Sequence, residues 1–289
     1  MSKVLDELLD LLGLERIEEN LFRGQSQDLG WGAVFGGQVL GQALSAAEQT
    51  VPSDRGVHSF HSYFLRRGDA QKPIVYEVDP IRDGRSFTTR RVRAVQNGKA
   101  IFSMSASFQL HEDGFEHQDE MPEAEGPDGL VSELELARKF ADLLPPKMRE
   151  IATAERPIEI RAVDPNNPLN PDVRPPHKQV WYRAAGKLPD SPNVHQYLLA
   201  YASDFHFLTT ALNPHGVSVW SRSMQVASLD HAMYFHRPFR FDDWLLYVID
   251  SPSANGARGL VRGQFFDRQG RLVASTVQEG LMRRRESRS

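Results

Sequence analysis

Tyr63-Phe64-Leu65-Arg66 and Tyr234-Phe235-His236-Arg237 are two versions of one pattern in a single chain. Carried forward at the same offset, Tyr76 falls on Tyr247 and Asp79 on Asp250. Self-similarity at a fixed spacing signals duplicated structure, and the surrounding sequence supports it. Around the first copy, residues 57–66, 73–78, 86–96 and 100–110 read as strands. They alternate apolar and polar positions and are rich in aromatic and β-branched residues. Asn97-Gly98 between the last two is a two-residue hairpin signal, because both positions tolerate positive φ. Around the second copy the strand-like runs are 228–237, 244–250, 257–267 and 272–282, with Asp267-Arg268-Gln269-Gly270 where Asn97-Gly98 stood before.

A helix precedes each meander. In the first half, Gln38-Val39-Leu40-Gly41-Gln42-Ala43-Leu44-Ser45-Ala46-Ala47 follows the glycine-rich stretch at 30–37. Its small residues suit close packing on a sheet. In the second half the apolar run at 195–205 reads as the corresponding helix. A helix lying across a curved antiparallel sheet, present twice, is the double-hotdog architecture, an α+β fold in which the halves pair as a pseudo-dimer. The expected halves are residues 1–115 and 157–289. Residues 116–156, acidic and scattered with proline, form a linker with one helix expected within 131–144.

Bulk properties narrow the function. The 289 residues include 40% hydrophobic, enough for a sizeable core. Lys+Arg of 34 against Asp+Glu of 38 gives a net charge of -4, which offers no electrostatic reason to expect nucleic acid. With no cysteine, a thiolate nucleophile and Cys-ligated zinc are excluded, and a cytoplasmic location is expected. The N-terminal segment reads as an amphipathic helix rather than a signal peptide, and no apolar run approaches a membrane span. The tail Glu286-Ser287-Arg288-Ser289 does not match a Ser-Lys-Leu type address. The chain has no Gly-x-Ser-x-Gly, Walker A, Gly-x-Gly-x-x-Gly or His-Glu-x-x-His motif. His58 and His61 lie three apart on an expected strand and point to opposite faces, so no metal is expected there.

Asp204 is the most informative polar residue, because it stands among Leu198, Leu199, Ala200, Tyr201, Phe205 and Phe207. A carboxylate in such company is either on a solvated helix face or in a cavity, where burial raises its pKa toward that of a general base. Ser228 and Gln278 are ordinary strand residues taken singly. Aligning the halves changes that reading. Ala46 stands opposite Asp204, Val57 opposite Ser228, and the region of Ala106 and Ser107 offers no Gln opposite Gln278. One half then holds a working site and the other a degenerate copy.

The chain resembles the acyl-CoA thioesterase II family over nearly its whole length. The segments that carry the resemblance include Gly36-Gly37-Gln38-Val39-Leu40-Gly41-Gln42-Ala43, residues 57–66, Tyr201-Ala202-Ser203-Asp204, residues 228–239 and Ala274-Ser275-Thr276-Val277-Gln278-Glu279-Gly280. The resemblance implies a double hotdog and a catalytic trio of Asp, Thr or Ser, and Gln, which maps onto Asp204, Ser228 and Gln278. It also implies an acyl-CoA substrate, hydrolysis by an activated water without a cofactor, and association into a dimer or tetramer. Coenzyme A phosphates would meet cations. Arg85 and Arg258, at similar places in the two repeats, are the candidates. Oxyanion donors are expected at the helix N-terminus near Gly36 or near His195. Two other readings stay open. A hotdog enoyl-CoA hydratase would use Asp190 and His195 of Asp190-Ser191-Pro192-Asn193-Val194-His195, and an acyl-CoA-binding sensor would not turn over.

Overall fold

The computed structural model describes residues 2–30, 32–144, 146–221 and 223–285, so Trp31 of the glycine-rich stretch and the tail at 286–289 lie outside the described residues. In the first half come α1 (Lys3–Leu12), β1 (Glu15–Glu18), β2 (Leu21–Gly24) and α2 (Gly36–Glu48). The meander follows as β3 (Arg55–Phe64), β4 (Ile74–Asp83), β5 (Phe87–Gln96) and β6 (Lys99–Leu110). The connecting stretch holds α3 (Glu133–Lys139) and α4 (Pro146–Thr153). The second half runs β7 (Ile158–Ala162), β8 (His177–Ala184), α5 (Pro192–Ala202), β9 (Met224–Ser228) and β10 (Asp230–Phe235), then β11 (Leu245–Asn255), β12 (Arg258–Asp267) and β13 (Leu272–Arg284). Among the described residues, no helix is long and apolar enough to cross a membrane.

Among the described residues, thirteen strands join in one antiparallel sheet, ordered β1-β2-β4-β5-β6-β3-β10-β13-β12-β11-β8-β7, with β9 also on β13. The seam is β3 against β10, where Tyr63 faces Asp230 and Ser59 faces Tyr234. Outward from the seam the same order unfolds on both sides. The irregularities repeat as well. The β3 bulge between Val57 and Ser59 corresponds to the break at Leu229 between β9 and β10. The β4 bulge between Asp79 and Arg82 corresponds to that between Asp250 and Ser253 in β11. Bulges are specific features of a chain, so their recurrence at the offset of Tyr63 and Tyr234 supports duplication beyond a shared topology.

The two long helices α2 and α5 lie against the sheet and pack on each other. Residues Gly37 through Ala47 of α2 are buried all round, because the sheet covers one side of α2 and α5 the other. The approach is so close that a Cβ on Gly37 would lie 2.2 Å from the carbonyl oxygen of Tyr201. Asn97 and Gly98 have φ of 50° and 70°, so the hairpin signal marks a real turn with two left-handed positions.

Several expectations need correction. Helix α5 begins at Pro192, whose fixed φ suits a first helical position, and ends at Ala202. Asp204 is therefore beyond the helix, on the turn that follows. Ser228 closes β9 instead of opening a strand, since Leu229 interrupts the run. Strands β1, β2, β7 and β8 and helix α4 were not expected. All four residues of β1 are exposed and show no alternation. Strand β8 has three successive buried residues, Val180, Trp181 and Tyr182, because both its faces are covered. The cover on the outer side is the connecting stretch. Its Met121, Ala124 and Leu130 pack on Trp181, Trp244, Leu246, Phe266 and Leu272. The Trp181 indole N–H donates to the Glu125 carbonyl at 2.8 Å.

Candidate active site

The turn after α5 is held from several directions. Ser203 N–H donates to the Leu199 carbonyl at 2.8 Å, continuing the helix ladder for one more residue. Beyond that point the backbone carbonyls lose helical partners, and tyrosines from the sheet take them. Tyr247 donates to Ser203 O at 3.3 Å and Tyr182 to Phe205 O at 3.2 Å. From the connecting stretch, Glu133 meets His206 at 3.0 Å. From the other half, Phe35 stacks on Phe205 with centroids 4.5 Å apart.

So fixed, Asp204 faces the N-terminus of α2 in the other half. Gly37 N–H and the side chains of Gln278 and Ser228 surround its carboxylate and favour the charged form. A Cβ on Gly36 would lie 2.6 Å from Asp204 Oδ2, which explains a glycine at that place. Gln278, fully buried on the inner face of β13, donates from Nε2 to Ser228 Oγ at 2.7 Å. Burial raises the Asp204 pKa from 3.8 to about 6, against the opposing pull of the three donors. The dipole of α2 also favours a carboxylate there. A carboxylate with such a pKa is ionised at neutral pH yet basic enough to take a proton.

The structure thus brings Asp204, Ser228 and Gln278 together, and it adds the first turn of α2 from the N-terminal repeat. That repeat lacks the same side chains. Phe108 stands opposite Val57 as Gly280 stands opposite Ser228, which puts Ala106 in the place of Gln278. Val57, Ala106 and Ala46 are all buried.

Other candidates lie elsewhere. Arg258 is on the outer face of the sheet. Val261, directly opposite Gln278, marks the inner face of β12, and Arg258 is three residues away on the other side. Its guanidinium is paired with Glu279 at 2.9 Å. Arg85 is exposed in the loop between β4 and β5, where its carbonyl accepts from Arg55 at 3.1 Å. His195 lies towards the opposite end of α5 from Asp204, with Nδ1 accepting from Phe241 N–H at 2.9 Å. Asp190 is exposed and paired with Arg240, so the hydratase pair does not form. Of the two helix N-termini considered for oxyanion donors, that of α2 is at the trio, with Gly37 N–H beside Asp204. His58 sits in the β3 bulge with Nε2 2.8 Å from Ser107 Oγ, whereas His61 lies edge-on to Tyr234.

Sequence reasoning missed Gly37 as a donor and His231 as a partner of Gln278. The second had a signal. His231 alternates with the buried Met233 and Phe235 along β10, which places its ring on the inner face with the trio.

Two family models match the chain: "Acyl-CoA thioesterase N-terminal domain" over residues 26–109 and "Acyl-CoA thioesterase" over residues 147–281. Acyl-CoA thioesterase 2 of Haemophilus influenzae is 47% identical over 283 residues, covering 98% of this chain and 99% of that protein. Human acyl-coenzyme A thioesterase 8 is 41% identical, covering 94% of this chain and 88% of its own length. The crystal structure of the acyl-CoA thioesterase II TesB2 from Mycobacterium marinum superposes with a TM-score of 0.77 at 42% identity, covering 96% of this chain and 99% of that one. With both halves matched and the likeness running almost end to end, this chain belongs to the acyl-CoA thioesterase family.

Proposed function

We propose that this acyl-CoA thioesterase hydrolyses its substrate by direct attack of water, with Asp204 as general base and Ser228 and Gln278 holding that water. The observation that carries the reading is the convergence of the Ser228 hydroxyl and the Gln278 amide on a carboxylate raised to about 6. A thioester carbonyl is electrophilic and a thiolate leaves readily, so one positioned water suffices. Asp204 accepts the water's proton as its oxygen bonds to the carbonyl carbon. The C–S bond then breaks, and the proton passes to the departing sulfur, leaving a fatty acid and coenzyme A. Neither an acyl-enzyme nor a cofactor enters the scheme.

In this proposal residues 157–289 carry the trio, residues 1–115 contribute α2, and residues 116–156 brace the turn that bears Asp204. Arg85 is retained as a contact for a coenzyme A phosphate. Arg258 is not, because it faces away from Gln278. A cytoplasmic location and self-association into a dimer or tetramer belong to the same proposal, the first supported by the absence of cysteine. The test is thiol release from a series of saturated acyl-CoAs by wild type and by Asp204→Asn. Release by the first and its near loss in a folded second is the expected result. Binding without release would favour a sensor, and full activity in the variant would remove Asp204 from the mechanism.

A further inference from the structure

His231 has no part in that scheme, yet it is fully buried and hydrogen-bonded through both ring nitrogens. Nδ1 lies 2.7 Å from Gln278 Oε1. Nε2 lies 3.0 Å from Ser203 Oγ, on the residue just before Asp204. The ring therefore bridges the strand that carries Gln278 and the turn that carries Asp204.

The bridge answers a question that packing leaves open. A primary amide reversed end for end keeps nearly the same shape, so steric fit alone does not choose which end faces Asp204. The choice matters, because the carboxylate is stabilised by N–H donors and repelled by an amide oxygen. We propose that His231 is the positioning residue of this site: its Nδ1–H donates to Gln278 Oε1 and so holds the amide nitrogen toward Ser228 and Asp204. The proposal rests on the reading of the trio given above. Burial lowers the His231 pKa to about 4, so the ring is neutral at neutral pH and carries a single proton. With that proton on Nδ1, Nε2 at 3.0 Å and Ala200 O at 2.8 Å are both acceptors for the single Ser203 hydroxyl proton, which is shared between them. With the proton on Nε2, two acceptors would face each other at Gln278, and the amide would turn its oxygen toward Asp204.

The first repeat shows what this position needs when there is no site. Phe60 stands there, fully buried, its ring 6.1 Å from that of His231 and nearly parallel to it. An aromatic ring without hydrogen bonds satisfies the packing, so the imidazole is explained by its two partners.

The experiment is steady-state thiol release by His231→Phe, His231→Asn, His231→Gln, Gln278→Ala and the double variant H231F/Q278A. Positioning predicts that H231F lowers kcat about tenfold or more with little change in KM. Its acid limb should move to higher pH, because Asp204 has lost an ordered donor. Asn, which can donate from near the place of Nδ1, should restore much of the loss. Gln, which reaches toward Ser203 instead, should not, and this pair decides the matter if H231F does not fold. In the Q278A background, H231F should cost less than about twofold further. An unimpaired H231F beside an inactive Q278A would overturn this proposal alone. An equal loss from H231F in both backgrounds would overturn it too, since His231 would then act independently of Gln278. A fully active Q278A would overturn the trio and this proposal together.

Discussion

Replacing Asp204 with Asn is expected to abolish hydrolysis and, at neutral pH, to stabilise the fold. The Asp204 pKa rises from 3.8 to about 6 on folding, mainly because burial disfavours the charge. That displacement corresponds to about 3 kcal/mol of folding free energy lost by keeping Asp204 ionised above about pH 6. Solvent reaching the open side of the carboxylate reduces the figure toward about 2 kcal/mol. A raised folded-state pKa means that the protonated form is the better tolerated one. The penalty is thus full above the folded pKa, shrinks as pH falls from about 6 to about 4, and vanishes below the unfolded value. Asn is neutral throughout and escapes it. Urea denaturation of wild type and Asp204→Asn at matched pH values measures the difference directly, because other titrating groups are common to both. Asn should lead by about 2–3 kcal/mol near pH 7.5, and the lead should close near pH 4. No lead at pH 7.5, or one that stays constant on acidification, would refute a buried, ionised Asp204.

With Asp204 as the proposed base, the same carboxylate is expected to set the pH dependence of catalysis. At saturating substrate, kcat should rise through an acid limb near 6, with Asp204 about nine tenths ionised at pH 7 and about one tenth at pH 5; a flat profile across that range would remove Asp204 as the base. Gly36→Ala places a methyl group 2.6 Å from Asp204 Oδ2 and 3.1 Å from the Phe64 ring, so either the carboxylate or the helix must move. Thiol release should fall at least about tenfold, with a stability loss of about 1–3 kcal/mol measured on the same protein. Glu133→Gln removes the carboxylate that meets His206 Nε2 at 3.0 Å while keeping the shape. It should cost about 1 kcal/mol of stability, and hydrogen exchange should show faster opening of the turn that carries Asp204.

The strands near the seam were legible because each has one face in the core and one in solvent, giving clean alternation. Residues 86–96 and 100–110, flanking Asn97-Gly98, are the clearest case and match β5 and β6 within one residue at each end. Strand β8 was not legible, because the connecting stretch covers its outer face and erases the alternation. That stretch, acidic and proline-bearing, looked like a tether, yet it is a second cover for the sheet and a brace for the Asp204 turn through Glu133. Asp204 itself was identified by its apolar neighbours while its place on a helix was misjudged. Nothing in the local composition marks Ala202 as the last helical residue, because the tyrosines that take up the freed carbonyls come from β8 and β11.

By itself, the sequence determined the duplication, the antiparallel meanders, the helix before each, and the residue types that set one half apart from the other. These follow from local periodicity and from comparing the chain with itself, which need no knowledge of distant contacts. Only the tertiary structure decided that the candidate site draws on both halves, with Asp204 of one set against the helix N-terminus of the other. It alone showed that Arg258 faces away and that His231 links Gln278 to Ser203. Those outcomes depend on which strand faces meet at the seam and on helix glycines small enough to let α2 approach α5. Hydrogen-bond geometry of that kind is fixed by packing between residues far apart in sequence, where neither composition nor spacing carries a signal.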